Sequence, residues 1–128
     1  MIKTLGLTHI ALSVKDINRS SEFYQRVFGA RVMYKEETFI QVQTPGSNDI
    51  IVFEKDDKDK GKTGGIKHFG FRLINEVDIT NTEKIIQEAG GEIIEHGEFC
   101  PAEPYVFFHD PDGYEVELWF EKKLDGFN

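Results

Sequence analysis

At 128 residues, 39% of them hydrophobic, the chain is long enough to bury a core and fits one typical domain. Its formal net charge of −8 argues against nucleic acid or an anionic membrane as a partner. No stretch approaches the roughly 20 apolar residues of a membrane span, and the N-terminus lacks the pattern of a signal peptide. Cys100 has no second cysteine with which to form a disulfide. We therefore expect a soluble, cytoplasmic protein.

The first half of the chain predicts a strand, a helix and three further strands. Residues 8–14 alternate between apolar and small or polar side chains, as a strand does. Asp16 or Asn18 can cap the helix that follows, and Gly29 ends it. Three short extended runs then complete the order βαβββ: 31–35, 38–43 and 50–54.

The same order of elements repeats after a polar linker, residues 56–65. Residues 67–73 alternate like residues 8–14 and carry a histidine at the matching position. Asp78 opens a second helix, Gly90-Gly91 ends it, and three strands follow at 92–98, 105–109 and 114–120. We predict an α+β fold in one domain, 1–128, with two βαβββ modules at about 5–55 and 66–121. Their curved mixed sheets are expected to enclose a shared cavity.

The stretch Asp110-Pro111-Asp112-Gly113 predicts a tight turn, because proline fixes φ and glycine accepts a positive φ. In the strand after it, Val116, Leu118 and Phe120 share one face. Glu117 then lies in the middle of the opposite face.

Three side chains on polar strand faces are candidate metal ligands: His9, His68 and Glu117. Ala11 beside His9 and Gly70 beside His68 are small, which suits a pocket lining better than a solvent-exposed face. Approximate two-fold symmetry between the modules would bring the two histidines together. Two imidazoles and a carboxylate suit an open site for Zn, Fe, Mn, Ni or Co. Each residue alone is more often structural or solvated, and the repeat is what favours a metal site.

Other candidates flank this set. Arg72 shares the His68 face and can bind a substrate carboxylate or phosphate, or pair with a carboxylate of the last strand. Tyr105 lies beside the loop 99–104. Two interpretations of this loop stay open: it closes over a ligand, or it only connects two strands. Cys100 in that loop has no activating neighbour in the sequence. The predicted catalytic residues are Glu117, Arg72 and Tyr105.

At these residues the sequence resembles the vicinal oxygen chelate superfamily. That superfamily includes glyoxalase I, fosfomycin-resistance thiol transferases, methylmalonyl-CoA epimerase, extradiol dioxygenases and bleomycin-binding proteins. The resemblance implies paired βαβββ modules, a homodimer, and metal ligands at His9, His68 and Glu117. It rests on five motifs: His9-Ile10-Ala11-Leu12-Ser13-Val14-Lys15-Asp16, Phe23-Tyr24-Gln25-Arg26-Val27-Phe28-Gly29, His68-Phe69-Gly70-Phe71, Glu88-Ala89-Gly90-Gly91, and Asp110-Pro111-Asp112-Gly113 followed by Glu117.

One strand departs from glyoxalase I and the epimerases, which have a fourth ligand on the last strand of the first module. Here that strand is Ile50-Ile51-Val52-Phe53, and only Asp49 or Glu54 at its ends can substitute. Two histidines and one carboxylate are more similar to the thiol transferases and the extradiol dioxygenases. The transferases are expected to carry a tyrosine where this chain has Val106-Phe107-Phe108.

Three functional hypotheses follow from the sequence and the resemblance. The first is a metal-dependent enzyme, a glyoxalase-like lyase or isomerase or a thiol transferase, whose small oxygenated substrate, a metabolite or antibiotic, chelates the metal. The second is a non-haem iron dioxygenase of the extradiol type. The third is a metal-free binding protein of the bleomycin-resistance type, in which His9→Ala would hardly change ligand affinity.

Overall fold

The computed structural model describes residues 1–122, in which each half of the chain has the order βαβββ. This confirms the predicted α+β fold of two modules in one domain. No predicted strand boundary differs from the observed one by more than two residues. The elements are β1 Ile10–Val14, α1 Ile17–Phe28, β2 Arg31–Lys35, β3 Phe39–Gln43, β4 Ile51–Lys55, β5 Phe69–Arg72, α2 Ile79–Ala89, β6 Glu92–Glu98, β7 Pro104–His109 and β8 Glu115–Trp119.

Each module forms a four-stranded mixed sheet, in the order β1-β4-β3-β2 for the first and β5-β8-β7-β6 for the second. In both sheets the first strand of the module pairs in parallel with the last, and the other pairs are antiparallel. The second strand of each module has a register irregularity, between Val32 and Tyr34 in β2 and between Ile93 and Glu95 in β6. The two modules therefore share local detail as well as topology.

The chain divides into two compact units. Unit 1 comprises Met1–Lys62 together with Pro111–Gly113, and unit 2 comprises Thr63–Asp110 and the chain from Tyr114. The tip of the β7–β8 turn is therefore part of unit 1. Neither helix in residues 1–122 is long and apolar enough to cross a membrane.

In unit 1, α1 covers one face of its sheet. Asp16 begins the helix by accepting hydrogen bonds from the backbone N–H groups of Asn18 and Arg19. Gly29 ends it with a left-handed φ of 67°. Tyr24 is fully buried and packs on Phe53 of β4, with ring centroids 5.1 Å apart. Burying an aromatic side chain of this kind stabilises the fold by about 1.5–3 kcal/mol.

In unit 2, α2 packs against β6 and β7 on one face of the second sheet. The face that α2 leaves free is called the uncovered face. Asp78 caps the helix start, and Ile86 is fully buried. Residues on the covered face of the sheet form the core of this unit: Val106, Phe108, Val116 and Leu118. Because side chains alternate along a strand, the uncovered face carries Tyr105, Phe107, Glu115, Glu117 and Trp119, all half-buried.

Candidate functional site

His68 and Glu117 lie side by side on the uncovered face of the second sheet. β5 pairs in parallel with β8, which places Gly70 opposite Glu117. The Nε2 atom of His68 is 3.9 Å from Oε1 of Glu117, whose side chain is only 15% exposed. The strand register thus brings together two of the three predicted metal ligands.

Gly70 leaves open the space beside the Glu117 carboxylate. A Cβ atom at this position would lie 3.1 Å from the Glu117 carbonyl oxygen and 3.6 Å from its Oε1. Any other residue would therefore crowd the Glu117 backbone and fill part of the space beside its carboxylate. Gly70 is thus the small neighbour of Glu117 on this face, and a ligand in that space stays a prediction.

The donor chemistry of this pair fits a divalent transition metal. Two ligands that each lie about 2.1 Å from one ion are at most about 4.2 Å apart. The separation of 3.9 Å between Nε2 and Oε1 falls within that limit. Within residues 1–122, no three His, Cys, Asp or Glu side chains are grouped closely enough to hold a metal ion. The His68–Glu117 pair would therefore supply two ligands, and an open site would need at least one more.

His9 lies in unit 1, one residue before β1 begins, and it is exposed. Its Nδ1 atom shares a hydrogen bond with the hydroxyl of Thr8. That bond leaves Nε2 as the ring nitrogen available to a metal. The role of His9 as a ligand stays a prediction.

The middle of β4 offers no fourth ligand. Ile51, Val52 and Phe53 are all buried. Asp49, at one end, accepts a hydrogen bond from the backbone N–H of Thr44 at 2.9 Å. Glu54, at the other end, is exposed. The structure thus agrees with the sequence that β4 lacks the mid-strand ligand of the glyoxalase I pattern.

The pKa of Glu117 is raised, chiefly because burial disfavours the charged form. The nearby His68 opposes this shift, and Glu115 adds to it. A cation bound beside the carboxylate would relieve the cost of burying its charge and lower the pKa again.

We expect Glu117→Gln to stabilise the metal-free protein at neutral pH. Because the folded pKa lies above the unfolded one, the ionised carboxylate costs stability above the folded pKa. This cost disappears as the pH falls below the unfolded pKa of about 4.3. Thermal unfolding should give the variant a higher Tm at pH 7, by a few degrees at most, and no advantage at acid pH.

Glu117→Gln should also bind metal more weakly than the parent does. It should bind metal more tightly than a variant that lacks either histidine, because the neutral amide oxygen is still a ligand, although a poor one. Unchanged metal affinity would count against Glu117 as a ligand. A lower Tm at pH 7 would contradict the predicted cost of its charge.

An aromatic group extends along the same face of the sheet. Phe107 lies edge-on to the His68 ring, with centroids 5.2 Å apart, and its centroid is 5.6 Å from that of Tyr105. Phe99 stacks on Tyr105 at 4.1 Å and meets Trp119 at 5.5 Å. These rings form an apolar wall beside the candidate ligands.

Two polar groups are set into this wall. The indole N–H of Trp119 is buried and has no acceptor among the described residues. The Tyr105 ring lies over Gly97, where a Cβ atom would be 2.9 Å from the tyrosine oxygen. An unsatisfied buried donor costs about 1–3 kcal/mol. The environment of the Trp119 N–H depends on tertiary packing, which the sequence alone does not reveal.

Arg72 lies on the His68 face of β5, but it does not pair with a carboxylate of the last strand, as one alternative predicted. It pairs with Glu121 at 2.6 Å, and its side chain is 71% exposed. Glu121 lies two residues beyond the end of β8. Arg72 is therefore outside the His68–Glu117 pair in this structure.

Cys100 is exposed in the loop between β6 and β7. A hydrogen bond with Glu103 raises the pKa of its thiol, and the charge of Glu103 acts in the same direction. A higher pKa lowers the thiolate fraction at neutral pH, so the thiol is a poor nucleophile.

Comparison with known proteins identifies the family. The model of the Glyoxalase/Bleomycin resistance protein/Dioxygenase superfamily matches residues 6–118. The chain is 29% identical to the metallothiol transferase FosB of Bacillus licheniformis, over 91% of this chain and 75% of that protein. It is 26% identical to the trivalent organoarsenical cleaving enzyme of Bacillus sp. strain MD1, over 89% of this chain and 72% of that enzyme.

A solved structure shows the same fold. It is a mutant of the fosfomycin resistance protein FosX from Listeria monocytogenes, complexed with Mn(II) and dihydroxypropylphosphonic acid. It aligns with a TM-score of 0.75 at 22% identity, covering 91% of this chain and 90% of that one. The family match and the paired βαβββ modules together confirm the resemblance: the chain belongs to the glyoxalase/bleomycin resistance protein/dioxygenase superfamily.

Proposed function

We propose that this chain is a divalent-metal-dependent enzyme that acts on a small oxygenated metabolite or antibiotic. The observation that carries the proposal is the His68–Glu117 pair, 3.9 Å apart beside the space that Gly70 leaves open. His9 is the proposed third ligand. Zn, Fe, Mn, Ni and Co all suit two imidazoles and a carboxylate.

Among the reactions open to such a site, we favour addition of a thiol to the substrate, even though this chain has Val106-Phe107-Phe108 where the resemblance implies a tyrosine for the transferases. The buried apolar middle of β4 disfavours an isomerisation of the glyoxalase I type, in which the resemblance implies a glutamate there that moves a proton. The likeness to a metallothiol transferase supports the same choice. The FosX complex with Mn(II) and a phosphonic acid supports a small metal-bound substrate with several oxygen atoms.

The residues of this chain would act as follows. When bound, a divalent ion would polarise a substrate oxygen. His68, Glu117 and His9 would hold that ion. The aromatic wall would keep water from the substrate.

Tyr105 and Arg72 complete the proposed catalytic set with Glu117. The Tyr105 hydroxyl, held over Gly97 in the aromatic wall, can donate to the substrate or accept a proton from it. Arg72 would have to leave Glu121 to reach a substrate anion. Because that ion pair is largely exposed, exchanging it costs little.

We also propose a homodimer, on the family resemblance, and a cytoplasmic location, on composition. The formal net charge of −8 supports a small molecule rather than nucleic acid or a membrane as the partner.

Elemental analysis of protein purified without chelator or metal-affinity tag tests this function. The parent should contain nearly one metal ion per chain, and a His9→Ala/His68→Ala double variant should contain none. His96→Ala is the matched control, because His96 is exposed and pairs with Glu83. Iron in the parent, with oxygen uptake on catechols, would indicate the dioxygenase instead. Negligible metal in every sample, even after incubation with these ions, would indicate the metal-free binding protein.

A further inference from the structure

The two ring nitrogens of His68 face two different carboxylates. Nδ1 is 3.5 Å from Oε2 of Glu115, and Nε2 is 3.9 Å from Oε1 of Glu117. Both glutamates belong to β8 and lie two residues apart on the uncovered face. The imidazole is thus flanked by one carboxylate on each nitrogen, with the nearer one at Nδ1.

Strand pairing produces this arrangement. In the parallel register of β5 and β8, Phe69 is opposite Val116 and Gly70 is opposite Glu117. His68, one residue earlier, therefore aligns with Glu115. Gly70 puts no side chain between the imidazole and Glu117, so the ring can lean toward that carboxylate.

A third contact restrains the ring. Phe107 meets the imidazole edge-on, with planes at 90° and centroids 5.2 Å apart. Rotation about the His68 side chain would break this contact together with both carboxylate contacts. The orientation of the ring is therefore set by neighbours on β7 and on β8.

We propose that Glu115 is a positioning residue that holds the hydrogen of His68 on Nδ1, so that the unprotonated Nε2 faces Glu117. A neutral imidazole has one N–H donor and one acceptor nitrogen, and an ionised carboxylate can only accept. The shorter separation makes Glu115 the better placed acceptor for the single N–H. A histidine ligand generally donates its other N–H to a carboxylate or carbonyl, which fixes the tautomer that binds the metal.

This inference rests on the proposed metal-dependent function for its purpose, but its first test needs no metal. Two-bond proton–nitrogen correlations of the ¹⁵N-labelled, metal-free protein, recorded above the pH at which histidines titrate, report which ring nitrogen carries the hydrogen. His68 should be mainly in the Nδ1–H form in the parent. Glu115→Ala should move it to the Nε2–H form, since Glu117 is then the remaining carboxylate at the ring.

Glu115→Gln is the conservative variant, because its amide oxygen can still accept from Nδ1–H. It should keep the parent tautomer. Glu83→Ala is the matched control: Glu83 contacts Nδ1 of the exposed His96, so its loss should leave the His68 signals unchanged. An unchanged His68 tautomer in Glu115→Ala would overturn the proposal.

Metal titration of the same variants gives the second readout. Glu115→Ala should bind Zn²⁺ or Mn²⁺ about 10–100-fold more weakly than the parent, and Glu115→Gln within a few-fold of it. Equal, severe losses in both variants would make Glu115 a ligand and overturn the positioning role. If the tautomers respond as expected but the parent binds no metal, the positioning role stands and the proposed function fails.

Discussion

Asp112→Ala is expected to lower the free energy of unfolding by about 2–4 kcal/mol. The Asp112 side chain has no exposed surface, and its Oδ1 accepts from the Arg19 guanidinium at 2.7 Å. The same atom accepts from the backbone N–H of Lys15 at 3.0 Å, and Oδ2 accepts from the Ser20 hydroxyl at 2.8 Å. Alanine would leave these donors at the start of α1 without their acceptor.

Urea and thermal denaturation measure this loss. Asp112→Asn should be intermediate, because the amide keeps one acceptor oxygen but places N–H groups against a donor. Asp57→Ala is the matched control, since that carboxylate is 66% exposed and pairs with Lys60 on the surface. It should cost much less stability than Asp112→Ala, because an exposed ion pair contributes little. Equal losses in the two alanine variants would show that the buried carboxylate contributes no more than a surface ion pair.

The turn that contains Asp112 could be predicted from the sequence, but the contacts of its side chain could not. The turn itself was predictable from Asp-Pro-Asp-Gly, and Gly113 does adopt a positive φ of 94°. The structural role of Asp112 was not predictable, because its partners Lys15 and Ser20 are 97 and 92 residues away in the chain. Local preferences determine the turn, whereas only the tertiary fold determines what the turn contacts.

Some features of the candidate site could likewise be predicted from the sequence, and others could not. Alternation along two strands was enough to predict that His68, Gly70 and Glu117 face the same side of their sheet, since the side-chain period of a strand is two. The proximity of Glu115 to Nδ1 of His68 depends on the register between β5 and β8, which alternation does not fix. Arg72 pairs with Glu121, beyond the end of β8. This pairing depends on side-chain geometry, so it could not be predicted from the sequence.

His68→Ala is expected to lower the affinity for Zn²⁺ or Mn²⁺ by at least about tenfold while leaving the fold intact. The substitution removes the nitrogen donor 3.9 Å from Glu117. It should cost little stability, because the side chain is 37% exposed and has an edge contact with the Phe107 ring. Calorimetric titration of the metal-free protein measures the affinity, and circular dichroism with thermal unfolding checks the fold.

The control for this variant is His96→Ala, which removes an imidazole that is 55% exposed and already paired with Glu83. Its metal affinity should equal that of the parent, so a loss shared by both variants would indicate adventitious binding to surface histidines. Parent-like affinity in His68→Ala would remove His68 from the site. Since Glu117→Gln keeps a weak oxygen ligand, its affinity should fall between those of the parent and His68→Ala. That order is the one expected when both side chains bind the same ion.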